Sequence, residues 1–201
     1  FHAHCVVSGK ASSALTRWTV RKTNATVIAV SRFAAAQYPG AALNVVYNAA
    51  PDYRREPRRR SDSITAGIVG RIAPEKGQLD FVLAARELRG RNIRFLVFGD
   101  AVITQQDYAV RVRAEAAGLP IEFRGWVANP AEAYAELDIL AVPSSEAEAS
   151  TRVIMEAFSA GVAVVAYPSG GIPEIVEGSK TGLLTEKGDW RELAAAIQSL
   201  A

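Results

Sequence analysis

The order of apolar and polar residues becomes regular at Ser63 and stays so to the end of the chain. Short aliphatic runs alternate with longer stretches in which apolar residues recur every three or four positions. Short runs are typical of buried strands, and the longer spacing is typical of amphipathic helices. The predicted strands are Ile64–Val69, Ile93–Phe98, Ile121–Phe123, Ile139–Val142, Val162–Ala166 and Gly182–Leu184. The predicted helices are approximately Gly77–Arg89, Gln105–Ala117, Ala131–Glu136, Thr151–Ala160 and Asp189–Leu200. This alternation predicts an α/β fold with a doubly wound parallel sheet that is buried on both faces.

The first fifty residues differ from the rest. The predicted elements are a strand, a helix and two further strands, in the order Phe1–Val7, Ser12–Thr23, Thr26–Val30 and Asn44–Tyr47. The segment Pro51–Asp62 follows, and its prolines and charges are typical of an exposed linker. Its basic residues either attract anionic lipid headgroups or form a solvated hinge. We therefore expect a remnant of one domain at 1–50, a linker at 51–62 and a second domain at 63–201.

Three helix ends carry capping residues. Asn129, followed by Pro130, predicts the start of one helix, and Asp189 predicts the start of the last. Gly161 predicts the end of the helix that contains Glu156.

Composition narrows the class of protein. The 201 residues are 49% hydrophobic and 22% charged, which suits one domain, or one domain and a piece of another. The net charge is only +2, the sequence pI is 8.8, and aromatic residues do not alternate with basic ones, so nucleic acid is not an expected partner.

A single cysteine indicates a reducing, cytoplasmic compartment, and no apolar run is as long as the roughly 18 residues of a membrane span. The chain opens at Phe1 without methionine, so we expect a piece of a longer protein.

Ligands of doubly wound sheets bind at the carboxyl ends of the strands, where the first unusual loop is GIVGRIAPEKG, Gly67–Gly77. Arg71 and Lys76 bracket a turn that contains Pro74. A guanidinium and an ammonium at this edge would suit a diphosphate without a metal. The alternative is a pair of surface bases around a helix start.

The second loop and the helix after it carry two glutamates with seven residues between them. Glu148 precedes a predicted helix, and Ser150 or Thr151 is expected to cap it, leaving free N–H groups for an anion. Glu156 lies about one turn inside, among apolar neighbours, where a carboxylate is costly unless it is hydrogen-bonded. Ligand hydroxyl groups would supply such bonds. The alternative is two surface glutamates on an ordinary helix.

A third loop, AYPSGGIPEIV at Ala166–Val176, either contacts a ligand or forms a plain tight turn, and Pro173 is expected to start a short helix in it. Other motifs do not occur in the sequence. It contains no G-x-G-x-x-G after a strand, no P-loop, no pair of aspartates separated by one residue and no Cys/His cluster. We therefore expect no metal and no cofactor.

Taken in this order, the loops resemble the family 4 retaining glycosyltransferases of the GT-B type. The matching segments cover nearly the whole chain, and two glutamates separated by seven residues are the family's signature. The segments are Val30-Ser31, VVYNAAPD (Val45–Asp52), VGRIAPEKG (Val69–Gly77), LVFGDA (Leu96–Ala101), FRGWV (Phe123–Val127), LDILAVPSS (Leu137–Ser145), EASTRVIMEA (Glu148–Ala157), GVAVVAYPSGGIPEIV (Gly161–Val176) and GLL (Gly182–Leu184). The resemblance implies a two-domain enzyme whose Rossmann-like C-terminal half, here 63–201, binds a nucleotide-activated sugar.

The resemblance also implies roles for individual residues. Arg71 and Lys76 would hold the diphosphate of the donor, Glu148 the hydroxyls of its sugar, and Glu156 those of the ribose. Further contacts would come from the backbone of Ser150, Thr151 and Arg152 to the distal phosphate, and from Gly125, Trp126 and Val127 along the base. A histidine near the reacting sugar would be His4 or His2, and the family's spacing favours His4.

The implied reaction transfers a sugar with retention at the anomeric carbon, and the leaving diphosphate is stabilised electrostatically without a metal. The implied partners are a nucleotide sugar and a glycan or lipid-linked acceptor, with peripheral contact at the inner face of the membrane. The chain departs from the family where Ala149, Ser150 and Thr151 replace the usual proline, aromatic residue and glycine. Most of the acceptor-binding domain is not among the 201 residues, so we expect binding without turnover. A sugar-nucleotide epimerase and a non-catalytic binding module are the alternatives.

Overall fold

The computed structural model describes residues 1–3, 7, 9–53, 63–178 and 180–201, and within them the chain forms two parallel sheets. The N-terminal unit consists of β1 (His2–Ala3), α1 (Lys10–Lys22), β2 (Val27–Ala29), α2 (Arg32–Ala35) and β3 (Leu43–Val45). Its strands lie in the order β1-β2-β3, and both neighbouring pairs are parallel. The apolar core of this unit includes Val20 of α1 and Val27 of β2.

The C-terminal unit is built around the larger sheet. Its strands are β4 (Ile64–Val69), β5 (Ile93–Phe98), β6 (Ile121–Gly125), β7 (Ile139–Val142), β8 (Ala163–Ala166) and β9 (Leu183–Leu184). They lie in the order β6-β5-β4-β7-β8-β9, and every neighbouring pair is parallel. The chain runs outward from β4 through β5 to β6 and then returns to place β7 on the other side of β4. The order of strands therefore reverses between β4 and β7, which is where open α/β sheets form a ligand crevice.

Helices cover both faces of this sheet. They are α3 (Gln78–Glu87), α4 (Gln106–Glu115), α5 (Pro130–Glu136), α6 (Arg152–Ser159) and α7 (Trp190–Leu200). Consecutive strand residues point to opposite faces. Accordingly Phe95 of β5 lies in the apolar cluster of α3, α4 and α7, whereas its neighbour Leu96 lies in the cluster of α5 and α6. The predicted doubly wound α/β fold is confirmed.

The predicted elements agree closely with the observed ones. Three strands, β4, β5 and β7, have the predicted bounds, and the other elements of the C-terminal unit begin and end within two residues of them. Three short elements were not predicted as helices: α2 and the 3-10 turns at Pro74–Lys76 and Ile103–Gln105. A helix of one turn leaves no 3.6-residue period to detect in the sequence. The first strand was predicted at Phe1–Val7, but Phe1 and Val7 lie outside any strand and β1 covers His2–Ala3. Residues 4–6 of that predicted strand and residues 54–62 of the predicted linker lie outside the described residues.

The start of the predicted linker packs against the C-terminal unit. Ser159 at the end of α6 donates a hydrogen bond to the Pro51 carbonyl at 2.6 Å and accepts one from the Tyr53 backbone N–H at 2.9 Å. The Tyr53 ring stacks on Tyr134, with 6.1 Å between the ring centroids. None of the helices in the described part of the chain is long and apolar enough to cross a membrane.

The capping residues explain where several helices begin and end. Asn129 accepts a hydrogen bond from the Ala131 N–H, and Gly161, in the left-handed conformation at φ 67°, follows the end of α6. Asp189 accepts hydrogen bonds from the N–H groups of Arg191 at 2.9 Å and Glu192 at 3.0 Å. All three predicted caps are confirmed.

The cap of α7 can be tested. We expect Asp189→Ala to lower the free energy of unfolding by about 1 kcal/mol, because two backbone donors lose their acceptor. Urea denaturation followed by circular dichroism measures this loss. The control is Asp107→Ala, which removes a carboxylate from the first turn of α4 that is not its N-cap. We expect it to cost about 0.5 kcal/mol or less. Equal losses in the two variants would contradict the capping role.

Candidate active site

Three loops meet where β4, β7 and β8 end, because these strands are neighbours in the sheet. The loops after β4 and β7 enclose a cavity of about 260 Å³. Its polar lining comes from the loop after β4 and from the loop and helix after β7, namely Lys76, Ser144, Glu148, Ser150, Thr151 and Arg152. The loops after β4 and β7 therefore share one crevice at the switch point of the sheet, whereas the loop after β8 contributes no residue to its lining.

Lys76 and Glu148 face each other in this cavity. Lys76 Nζ lies 2.5 Å from Glu148 Oε1, and the Ser144 hydroxyl donates to the same oxygen at 3.2 Å. The side chain of Lys76 is 29% exposed and that of Glu148 is 19% exposed, so the pair is partly shielded but open to a ligand. A basic group from one loop and an acidic group from another are thus in direct contact, and one ligand could reach both.

Backbone contacts hold the two loops together. A 3-10 turn at Pro74–Lys76 ends at Gly77, which adopts the left-handed conformation at φ 75°. The Ser145 N–H donates to the Glu75 carbonyl at 3.0 Å, and a Cβ on Gly77 would lie only 1.9 Å from the Pro143 carbonyl oxygen. Glycine at this position therefore allows the approach that sets Lys76 against Glu148.

Arg71 has a different partner from Lys76. Its guanidinium lies 2.7 Å from Glu75 Oε1, its side chain is 48% exposed, and it is not among the residues that line the cavity. Burial alone would raise the pKa of Glu75, but hydrogen bonds from its own backbone N–H and from Arg71 bring that pKa below its ordinary value. The structure thus places Lys76 in the cavity and Arg71 beside it.

The start of α6 lines the cavity, and no side chain caps it. Thr151 occupies the N-cap position, but its side chain makes no capping bond, so the predicted side-chain cap from Ser150 or Thr151 is wrong. The Ser150 hydroxyl instead accepts a hydrogen bond from Asn48 Nδ2 at 3.2 Å. Thr151 is 5% exposed, and its Oγ1 has no hydrogen-bond partner among the described residues. A buried, unpaired hydroxyl beside uncapped N–H groups is an arrangement that an anion would complete.

Glu156 is buried, with 5% of its surface exposed, and the protein itself supplies two partners. Tyr134 donates to Oε2 at 2.8 Å and Arg152 donates to Oε1 at 3.0 Å. Burial, together with the negative charge of Glu156, raises the pKa of the Tyr134 phenol, which therefore stays a donor. Since a carboxylate offers about four acceptor positions, two remain for a ligand. Sequence reasoning missed Tyr134, because it lies 22 residues from Glu156 on another helix.

A second cavity of about 170 Å³ adjoins the first, and the two share Val69, Gly70 and Val153. Its other lining residues include Gly99, Trp126, Pro130 and Glu156. Trp126 is 78% exposed, so its ring is available to a planar ligand group. Gly125 ends β6 immediately before it, at φ 70°. Glu148 and Glu156 thus lie in two connected parts of one crevice.

The predicted catalytic histidine remains a prediction. His4 lies outside the described residues, and His2 lies in β1 of the N-terminal unit.

The absence of a metal also remains an expectation. Among the described residues, the acids that come close enough to hold an ion are Glu186, Asp189 and Glu192, at the start of α7. Two of these already accept backbone N–H groups, since Asp189 caps the helix and Glu192 accepts from Glu186 at 2.5 Å. No residue of that group lines either cavity.

A parallel, Rossmann-like sheet with a crevice at its switch point is the architecture of nucleotide-binding α/β domains. The family model for glycosyl transferases group 1 matches residues 63–201, and the chain belongs to that family.

Curated relatives and a solved structure agree with this. The chain is 32% identical over 184 residues to the lipopolysaccharide 1,2-N-acetylglucosaminetransferase of Salmonella typhimurium, covering 79% of this chain and 48% of that protein. It is 30% identical over 194 residues to the GDP-mannose-dependent alpha-(1-6)-phosphatidylinositol monomannoside mannosyltransferase of Mycobacterium tuberculosis, covering 85% and 49%. The crystal structure of Anabaena Alr3699/HepE in complex with UDP superposes with a TM-score of 0.86 at 29% identity, covering 98% of this chain and 61% of that chain. The chain thus spans about half the length of the two curated relatives.

Proposed function

We propose that this chain binds the nucleotide-diphosphate sugar of a retaining, metal-independent glycosyltransferase and forms the donor-binding half of that enzyme. The observation that carries the proposal is the pair of adjoining cavities, whose lining includes Lys76, the uncapped start of α6 and two carboxylates. A nucleotide sugar has the matching sequence of groups: a planar base, a ribose diol, a diphosphate and a polyhydroxylated ring.

Each part of the crevice suits one part of the donor. The diphosphate would lie between the Lys76 ammonium and the first N–H groups of α6, where the Thr151 hydroxyl would gain a partner. The ribose hydroxyls would donate to the two open positions of the Glu156 carboxylate, and Trp126 would border the base. The sugar hydroxyls would donate to Glu148, which already faces Lys76 at 2.5 Å.

The same groups would assist departure of the nucleotide. When the bond between the anomeric carbon and the diphosphate breaks, negative charge grows on the leaving oxygens. Lys76 and the α6 N–H groups are fixed before the reaction, so they stabilise that charge without reorganising. Arg71 lies outside the lining but is one residue from Gly70, and we propose that it leaves Glu75 for the diphosphate when donor binds.

The acceptor, by the same proposal, is a glycan or a lipid-linked glycan, bound mainly by residues other than these 201. The relatives named above act on lipopolysaccharide and on a phosphatidylinositol mannoside, which favours an acceptor of that class. An enzyme with such an acceptor works in contact with the inner face of the membrane, and the basic segment 51–62 supplies charge that suits anionic headgroups.

Isothermal titration of the chain with UDP, GDP, ADP and dTDP tests the donor site. We expect one of them to bind, and we expect Glu156→Gln to weaken it about tenfold, because a neutral amide accepts ribose hydroxyls less strongly than a carboxylate. The matched control is Glu177→Gln, which changes an exposed glutamate whose partner is Lys180. The proposal fails if none of the four binds, or if Glu156→Gln and Glu177→Gln bind equally well.

A further inference from the structure

The turn after β8 connects the two units of the chain, although its sequence predicted either a ligand contact or a plain turn. Glu174 ends a 3-10 turn at Ile172–Glu174, and its carboxylate accepts three hydrogen bonds from the N-terminal unit. The donors are the Arg32 N–H at 2.8 Å, the Phe33 N–H at 2.7 Å and the Tyr47 hydroxyl at 2.9 Å. One side chain thus holds two segments that lie more than a hundred residues away in sequence.

The N-terminal unit needs this acceptor. Arg32 and Phe33 are the first residues of α2, and a helix leaves its first N–H groups without partners of its own. The Ser31 hydroxyl satisfies the Ala34 N–H at 3.0 Å, and Glu174 takes the two that precede it. The hydrogen bond to Glu174 raises the pKa of the Tyr47 phenol, so Tyr47 remains a donor at neutral pH.

The other side of the turn touches the loop that carries Glu148. The Gly171 N–H donates to the Glu148 carbonyl at 2.7 Å. A Cβ on Gly170 would lie 2.1 Å from that same carbonyl oxygen, and a Cβ on Gly171 would lie 2.5 Å from the Ala149 oxygen. The two glycines therefore permit direct backbone contact, so a shift of the turn displaces the backbone of Glu148.

The N-terminal unit also contacts the Glu148 loop directly. Ala149 packs in the apolar cluster of that unit, and Asn48 donates to the Ser150 hydroxyl at 3.2 Å. A Cβ on Gly171 would lie 3.1 Å from the Ser31 hydroxyl oxygen, so turn, loop and N-terminal unit meet at one point. The loop Glu148–Ser150 is therefore held between two surfaces that Glu174 ties together.

We infer that Glu174 is a positioning residue for the donor site: by tying the turn after β8 to the N-terminal unit, it fixes the backbone of Glu148–Ser150. Glu174 is not among the lining residues of either cavity, so it acts through the loop and not on the ligand. For the identity of the ligand this inference rests on the proposed function. The claim that Glu174 fixes the backbone of Glu148–Ser150 does not depend on the proposed function.

Amide hydrogen exchange by NMR on Glu174→Gln tests the inference. Gln keeps the size of the side chain but loses the charge that holds two N–H groups, so we expect exchange at Arg32 and Phe33 to become about tenfold faster. Exchange at Glu148–Ser150 should also become faster, and the affinity for whichever of UDP, GDP, ADP and dTDP the unmodified chain binds should fall about three- to tenfold. The amides of Arg191 and Glu192 serve as an internal reference, because Asp189 holds them in the same way at a distant helix.

Tyr47→Phe provides a milder second variant. It removes one hydroxyl from a half-exposed side chain and leaves the backbone contacts of Glu174 in place. We expect changes in the same direction of about threefold or less. Should Glu174→Gln not fold, Tyr47→Phe decides the test.

Several outcomes would overturn the inference. One is equally accelerated exchange at Arg191 and Glu192, which indicates global destabilisation and not a local tie. Another is unchanged exchange at Glu148–Ser150 in both variants, and a third is unchanged nucleotide affinity in both. If the unmodified chain binds none of UDP, GDP, ADP and dTDP, the proposed function fails, and the exchange at Glu148–Ser150 then decides the positioning role alone.

Discussion

Replacing Lys76 with methionine should weaken binding of the preferred nucleoside diphosphate about 100-fold, which corresponds to roughly 2.7 kcal/mol. Methionine has a similar length but no charge, so the variant removes the cation that faces Glu148 in the cavity. The negative charges of the diphosphate and of the Glu148 carboxylate would then repel each other without a cation to compensate them. Isothermal titration measures the loss, and the binding of the unmodified chain should weaken as salt is raised, because the contact is ionic.

The stability of the Lys76→Met variant should change little. The lost ion pair is partly exposed, and such pairs contribute about 1 kcal/mol or less. Lys180→Met is the matched control, since Lys180 is 77% exposed and pairs with an exposed glutamate. Affinity that falls by the same factor in both variants, or that does not fall in Lys76→Met, would remove Lys76 from the donor site.

Replacing Gly77 with alanine should have the largest effect on stability, a loss of about 4 kcal/mol or failure to fold. Gly77 is left-handed at φ 75°, and the new Cβ would lie 1.9 Å from the Pro143 carbonyl oxygen. The obstructing atom belongs to the backbone, so a side-chain rotation cannot relieve the contact. The loops that carry Lys76 and Glu148 would have to separate, and nucleotide binding should be lost with stability.

Gly90→Ala separates backbone strain from the clash. Gly90 is left-handed at φ 85°, but a Cβ there would have no atom within 4 Å. We expect it to cost about 1–2 kcal/mol, the strain of a left-handed residue alone. Urea denaturation of the two variants measures the difference, and equal losses would show that the approach of Gly77 to Pro143 is not tight.

The architecture of the C-terminal unit could be predicted from the sequence because local patterns carry most of it. A buried parallel strand is a short aliphatic run, and β4, β5 and β7 begin and end where their runs do. Asp189 and Gly161 act on N–H and C=O groups of their own helix ends, so their roles follow from neighbouring residues alone.

The site could be predicted only in part. That Lys76 and Glu148 would share a crevice follows from their loops, since carboxyl ends of parallel strands lie at one edge. That they contact each other, and that Arg71 pairs with Glu75, depends on side-chain geometry. The Tyr134 hydrogen bond to Glu156 joins two helices on one face of the sheet and has no sequence period to mark it.

By itself, the sequence determined the alternation of strands and helices, the helix ends and the edge at which the chemistry gathers, because each depends on residues close together along the chain. Only the tertiary structure decided which cation faces the cavity, what satisfies Glu156 and what Glu174 holds. Those contacts join residues between four and 142 positions apart. A shift of a few tenths of an ångström weakens such a contact, and the packing of the whole fold sets these distances.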